Sequence, residues 1–259
     1  MKPQLFLYDT PDGAVAFSTT RHGGVSKGNY ASLNVNGYCG DAREDVAENR
    51  RLLCMSLNLS DESRLVIPHQ THDTTVLTVD KTFMALDEEQ RQQRLEGIDA
   101  VITSVPQICI GVSTADCIPI IIYDAVHHAA AAIHAGWRGT VARIAPKAVA
   151  ALQTAYGSLP AELQAWIGPG ISLKNFEVGQ EVYDQFAEAG FQMERIAMRY
   201  EKWHIDLPMC NLLQLEEAGL PLPFIHHTDI CTYDHTDDFF SARRLGISSG
   251  RIYTGIILQ

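Results

Sequence analysis

The sequence predicts an α+β protein: mixed β-sheets packed together with flanking helices, in a single domain over residues 1–259. Three observations carry this. Residues 108–113, 118–123 and 129–134 are apolar runs rich in β-branched or small residues, separated by short polar turns, as expected of central strands buried on both faces. Helical and strand patterns mix without strict βαβ alternation, which disfavours a doubly wound parallel sheet. No internal repeat, linker or low-complexity segment interrupts the chain.

Taken in order, residues 14–20 alternate and are β-prone, and a glycine-rich turn follows at Arg21-His22-Gly23-Gly24. Asp41 reads as a helix N-cap with Glu44 as its capping-box partner. Val46, Leu53 and Leu57 recur at helical spacing, so a helix is expected over 42–57, with Arg50 near its buried stripe. Residues 64–67 and 74–79 read as strands, and the charge-rich run within 84–97 as a solvated helix or excursion. After the central strands a helix is expected over 140–156, kinked or starting late because of Pro146. A strand at 165–167, helices at 180–189 and 207–218, and a final strand at 251–258 complete the reading. Asp206 is the expected cap of the second of these helices, with Pro208 in its first turn.

The charge balance is acidic, with 31 Asp and Glu against 20 Lys and Arg. Nucleic acid and anionic membranes reward a basic face, so neither is an expected partner. A small anionic substrate remains compatible, because a few arginines suffice to bind it. The longest apolar runs, 118–123 and 129–133, are too short to span a bilayer. The N-terminal stretch from Met1 lacks the apolar core and cleavage site of a secretory leader. The six cysteines are scattered with no C-x-x-C pair, which reads as reduced thiols in the cytoplasm. No obligate protein partner is expected.

Three stretches concentrate chemistry: Pro68-His69-Gln70-Thr71-His72, Thr114-Ala115-Asp116-Cys117-Ile118-Pro119 and His134-Ala135-Gly136-Trp137-Arg138-Gly139. Each places a ligand-capable residue at the edge of an expected strand, where sites are usually built. One cysteine and two histidines are a common catalytic zinc set, with a fourth position left for water or substrate. Their borderline-soft donors suit zinc or copper better than magnesium or calcium. The ordinary alternative is a buried cysteine acting as a small hydrophobe and two histidines satisfied by backbone groups. Spacing alone does not separate the two.

These segments resemble the bacterial YfiH family, also called the laccase-domain or multicopper polyphenol oxidase family. The resemblance runs through nearly the whole chain. It includes Ser18-Thr-Thr-Arg-His-Gly-Gly-Val-Ser, Ser32-Leu-Asn, Glu48-Asn-Arg, Gly168-Pro-Gly-Ile, Phe176-Glu-Val-Gly, Cys231-Thr-Tyr and Phe239-Phe-Ser, besides the cysteine and histidine motifs. It implies a metal held by His69, Cys117 and His134, zinc first and copper as the alternative. The family's Gln-x-His pattern aligns with Gln70-Thr71-His72 and favours His72 as the first ligand, with His69 kept open. Near the C-terminus, Ser241-Ala-Arg-Arg-Leu departs from the family's commoner Ser-Tyr/His-Arg-Arg-Asp.

The resemblance further implies purine nucleoside chemistry: phosphorolysis of adenosine, inosine and methylthioadenosine, and deamination of adenosine. An open zinc site acidifies water enough for deamination. Phosphorolysis needs an anchor for phosphate, for which Arg50, Arg138 and Arg21 are candidates. Asp116 is a candidate acid or base, or a group that orients a ligand, and Asn34 a candidate for bonding base or ribose. Cys117 and His134 would carry the catalytic centre. The H-x-E with P-C-x-x-C signature of known zinc deaminases is absent, as are the P-loop and G-x-G-x-x-G.

Two other classes stay open. Family naming implies a copper-dependent polyphenol oxidase, although the chain lacks the H-x-H pairs from which multicopper clusters are built. The third is a hydrolase, with Cys117 as a histidine-activated nucleophile or with the site cleaving an amide of a cell-wall precursor.

Overall fold

Alternation in the central runs decides the architecture. In the strand Ile118–Asp124, Ile118, Ile120 and Ile122 face one side while Ile121 and Tyr123 face the other. Both sides are buried in the computed structural model, which describes residues 2–259. Met1, the first residue of the stretch read for a leader, lies outside them. Each such isoleucine contributes about 1.5–3 kcal/mol on burial, so this strand anchors two layers at once.

The first sheet has the order Leu5–Leu7, Ala14–Thr19, Ile252–Leu258, Cys109–Thr114, Leu65–Val66. The second has the order Ile225–His227, Leu163–Ile167, Ile118–Asp124, Ala129–Ala135, Ala100–Thr103, Val76–Thr78. Both sheets mix parallel and antiparallel pairs. Ala16, Ile110, Val112 and Ile256 of the first sheet meet Val101, Ile121, Ala132 and Trp166 of the second in one core. On the outer face of the first sheet, Phe17, Cys109 and Tyr253 pack with Leu53 and Cys54 of the helix Arg43–Ser56. On the outer face of the second, Ile102, Ile120 and Ile133 pack with the helices Ile144–Tyr156 and Leu207–Glu217. The result is a helix, sheet, sheet, helix stack, the α+β fold expected.

Local differences have identifiable causes. The helix expected over 42–57 is capped at Ala42 rather than Asp41. The Asp41 carboxylate instead accepts from Ser26 Oγ at 2.6 Å and Asn34 Nδ2 at 2.9 Å, which satisfies buried polar groups that water cannot reach. The helix expected from 140 starts at Ile144, after a separate turn at Trp137–Val141. Arg143, at φ 65°, breaks the two apart, and Pro146 then falls in the first turn, where its missing N–H costs little. The charge-rich run contains the helix Glu88–Arg94, closed by a capping box between Asp87 and Gln90. Asp206 caps Leu207–Glu217 by accepting from Met209 N. Among the described residues, no helix is long and apolar enough to cross a membrane.

The chain crosses between the sheets three times near one end of the stack: in the loop over 67–75, in the three residues Ala115, Asp116 and Cys117, and in the long segment over 228–251.

Candidate metal centre

Strand parity aims the first donor. Ala130 and Ala132 face the gap between the sheets, so His134, two residues further, points into the same gap at its end. By the same rule Asp99 shares the face of Val101. The two residues are cross-strand neighbours: His134 N donates to Asp99 O at 2.8 Å. The side chains repeat the pairing, with His134 Nδ1 donating to Asp99 Oδ1 at 2.7 Å. Nδ1 is thereby engaged, and Nε2 is the ring nitrogen left for a metal.

The same carboxylate positions the second donor. It accepts from the amides of Thr71, His72 and Asp73 at 3.1, 3.0 and 2.9 Å. The other side of this loop is held by Gln70, whose amide donates to Ser113 O and accepts from Ser113 N, both at 2.8 Å. The loop is thus tied to both sheets, and His72 adopts φ 64° within it. Cys117 supplies the third donor as the chain enters the strand Ile118–Asp124.

His72 Nε2 lies 3.8 Å from Cys117 Sγ, and the rings of His72 and His134 meet edge to face at 4.8 Å. One donor atom from each of His72, Cys117 and His134 lies within 4.8 Å of the others. Gly136 stands beside them. A Cβ there would fall 2.9 Å from His72 Cδ2 and 3.1 Å from Cys117 Sγ, so the space belongs to the donors.

The electrostatics fit a cation. Burial raises the Cys117 thiol, but the charge of His134 and hydrogen bonds from His134 and His72 outweigh it and bring the thiol down to about 6. Burial lowers His134, yet the Cys117 thiolate and Asp99 raise it to about 9. Asp99 is held below the usual carboxylate range, because its bonds to His134 and the loop amides exceed the effect of burial. A thiolate and two imidazoles, one braced by a carboxylate, form a donor set suited to zinc or copper.

The structure does not bring His69 into this group. Its Nδ1 donates to the Glu96 carboxylate at 2.8 Å, and its ring stacks on Tyr38 at 4.2 Å. A backbone bridge between His69 and Glu96 reinforces that pairing. Asn34 is buried, with Nδ2 donating to Asn36 O and Asp41, and Oδ1 accepting from Arg251 N. Arg21 lies over Phe240 and donates to Ala31 O and Thr236 O. Arg50 donates through Nε to Val35 O, leaving its terminal nitrogens without an acceptor among the described residues. Arg138, four residues after His134 in sequence, is exposed over the Trp137 ring at 4.2 Å, and none of the described residues accepts a hydrogen bond from its guanidinium. Asp116 is buried, and both of its carboxylate oxygens have protein partners, Thr232 and Arg243.

Asp99 and Gly136 are the residues sequence reasoning missed. The available signal for Asp99 was a lone acid directly ahead of the apolar run 100–102, a position that buries it.

Comparison with known proteins places the chain in a family and among related folds. Residues 15–259 match the family described as multi-copper polyphenol oxidoreductase laccase. The chain is 48% identical to a purine nucleoside phosphorylase of Bacteroides thetaiotaomicron over 94% of this chain and 91% of that protein. It is 43% identical to an adenosine deaminase of an unknown prokaryotic organism, over 95% and 94% of the two chains. A purine nucleoside phosphorylase YfiH of Escherichia coli is 33% identical over 90% of each. The crystal structure of YlmD from Geobacillus stearothermophilus superposes with a TM-score of 0.89 at 32% identity, covering 96% of this chain and 93% of that one.

Proposed function

The chain belongs to the multi-copper polyphenol oxidoreductase laccase family, the YfiH family of the motif reading, and from that premise we propose that it is a metal-dependent purine nucleoside enzyme. The reactions proposed are phosphorolysis of adenosine, inosine and methylthioadenosine, and deamination of adenosine. The observation that carries this reading is the convergence of His72, Cys117 and His134. The names of the relatives supply the substrate class.

His72, Cys117 and His134 would hold the ion, zinc in the first instance. When bound it supplies Lewis acidity toward the group under attack. The chain's own residues do the rest. Asp99 fixes the tautomer and direction of His134 and the course of the 71–73 loop. Arg138, and Arg50 with its terminal nitrogens, are the anchors for phosphate. With six free cysteines, the reading fits a reducing cytoplasm, where Cys117 stays available as a thiolate.

The test is metal analysis of untagged protein with product detection on adenosine. Free base with ribose 1-phosphate, formed when phosphate is present, supports phosphorolysis. Inosine supports deamination. Neither product from metal-loaded enzyme would sink the nucleoside reading. The family's description favours a second reading, copper-dependent oxidation of phenols. A strong visible thiolate-to-copper band in protein isolated from its source would put that reading first.

A further inference from the structure

On the reading that Cys117 is a metal ligand, we propose that Asp116 is a positioning residue that latches the crossing between the sheets and so fixes the direction of the Cys117 thiolate.

The chain leaves the first sheet at Thr114 and enters the second at Ile118, with three residues to make the turn. Asp116 makes it at φ 92°, a backbone region that a residue with a Cβ populates sparsely. Such a conformation persists only if its surroundings impose it. Three segments do so. Thr232 Oγ1 donates to Asp116 Oδ1 at 2.7 Å, and Arg243 N donates to Oδ2 at 2.7 Å. Ile171 N donates to Asp116 O at 2.8 Å.

These segments are themselves joined. Gly170 forms a bridge with Cys231, and Thr232 N donates to Gly170 O at 3.0 Å. Gly170 also packs directly on the crossing, since a Cβ there would lie 3.2 Å from Asp116 O and 3.4 Å from Cys117 O. Gly170 thus abuts the Cys117 backbone, while Gly136 abuts its Sγ. The Gly168-Pro-Gly-Ile, Cys231-Thr-Tyr and Phe239-Phe-Ser motifs thereby acquire a shared role: all run through or beside the latch on residue 116. Proton transfer is the competing role for Asp116. With both carboxylate oxygens accepting from fixed protein donors, positioning is the role the geometry favours.

The experiment loads wild type, D116A, D116N, D116G and T232V with cobalt(II). It reads the thiolate-to-cobalt charge-transfer band, and the affinity by competition with a chelator. Orienting partners of metal ligands typically control affinity by about 10–100-fold. D116A is expected to bind cobalt that much more weakly, with a weakened thiolate band. D116N can still bond both Thr232 and Arg243 and is expected to rescue the band. D116G relieves the backbone but lacks the latch, so it should resemble D116A. If D116A does not fold, T232V decides, with an expected loss of about threefold or more.

An unchanged band and affinity in D116A or, failing that variant, in T232V would overturn the proposal. So would full rescue by D116G. Loss of turnover in D116N with metal binding intact would reassign Asp116 to proton transfer. Wild-type protein that shows no thiolate band would sink the metal reading and this proposal together. A normal wild-type band with an unaffected D116A sinks this proposal alone.

Discussion

Asp99 Oδ1 and His134 Nδ1 lie 2.7 Å apart across two adjacent antiparallel strands, and the same carboxylate holds the three amides around His72. One buried acid thus organises two of the three donors. Replacing it with alanine should weaken zinc binding by about 10–100-fold. It should also leave the buried His134 Nδ1 without its acceptor, at a cost of about 1–3 kcal/mol. Chelator competition and thermal unfolding check the two effects separately. Unchanged affinity in a folded Asp99→Ala protein would contradict the bracing role.

The two candidate first ligands can be told apart directly. His72→Ala should abolish stoichiometric metal, whereas His69→Ala should retain it, because His69 is committed to Glu96 and Tyr38. Metal content of the purified variants is the measurement. The reverse outcome would restore His69.

Metal-free protein should carry an unusually acidic thiol. Cys117 ionises near 6, because the charge and hydrogen bonds of His134 overcome burial, whereas an ordinary cysteine ionises near about 8.5. The thiolate is the reactive form and lies on the high-pH side of that value. Alkylation of Cys117 by iodoacetamide should therefore be nearly flat between about pH 7 and 9, where an ordinary cysteine climbs steeply. Peptide-mapped labelling rates test this, and an ordinary rising profile at Cys117 would refute it.

Gly136→Ala should damage the centre more than the fold. The added Cβ would press on the donor side chains themselves, at 2.9 Å from His72 Cδ2 and 3.1 Å from Cys117 Sγ. We expect at least about tenfold weaker metal binding, by analogy with the loss of an orienting partner. The unfolding midpoint of the metal-free protein should move little by comparison. A large fall in that midpoint with affinity preserved would assign Gly136 to packing instead.

Arg138→Ala separates the two proposed reactions. The side chain is exposed, so stability should change by no more than about 0.5 kcal/mol. The KM for phosphate in phosphorolysis should rise, while deamination, which uses no phosphate, should be nearly unaffected. Equal losses in both would place Arg138 against the nucleoside rather than the phosphate.

Much of this was legible in the residues. The runs now seen as Ile118–Asp124 and Ala129–Ala135 announced themselves because burial on both faces demands unbroken apolar sequence. Asp206 with Pro208 marked its helix start by local chemistry alone. The strand Ala100–Thr103 went unread because four residues behind a charged helix carry no period. The sheet of Glu177–Val178, Trp203–Ile205 and Ala197–Arg199 went unread for a related reason: its strands are two or three residues long and partly exposed. Asp41 looked like a cap because sequence shows spacing, not which buried amide needs an acceptor more. Asp99 was invisible for the same reason, since its partners are 26 to 35 residues away.

Two of the crossings have a consequence for how the molecule assembles. His72 and Cys117 each sit where the chain passes from one sheet to the other, and His134 belongs to the second sheet alone. An ion gripping all three would act as a rivet through the seam of the sandwich. The rivet hole does not exist until both sheets have docked, and docking depends on contacts distant in sequence, which form late. Metal capture during refolding should therefore trail the appearance of secondary structure, and a bound ion should hold the seam shut against shear long after the outer helices begin to loosen.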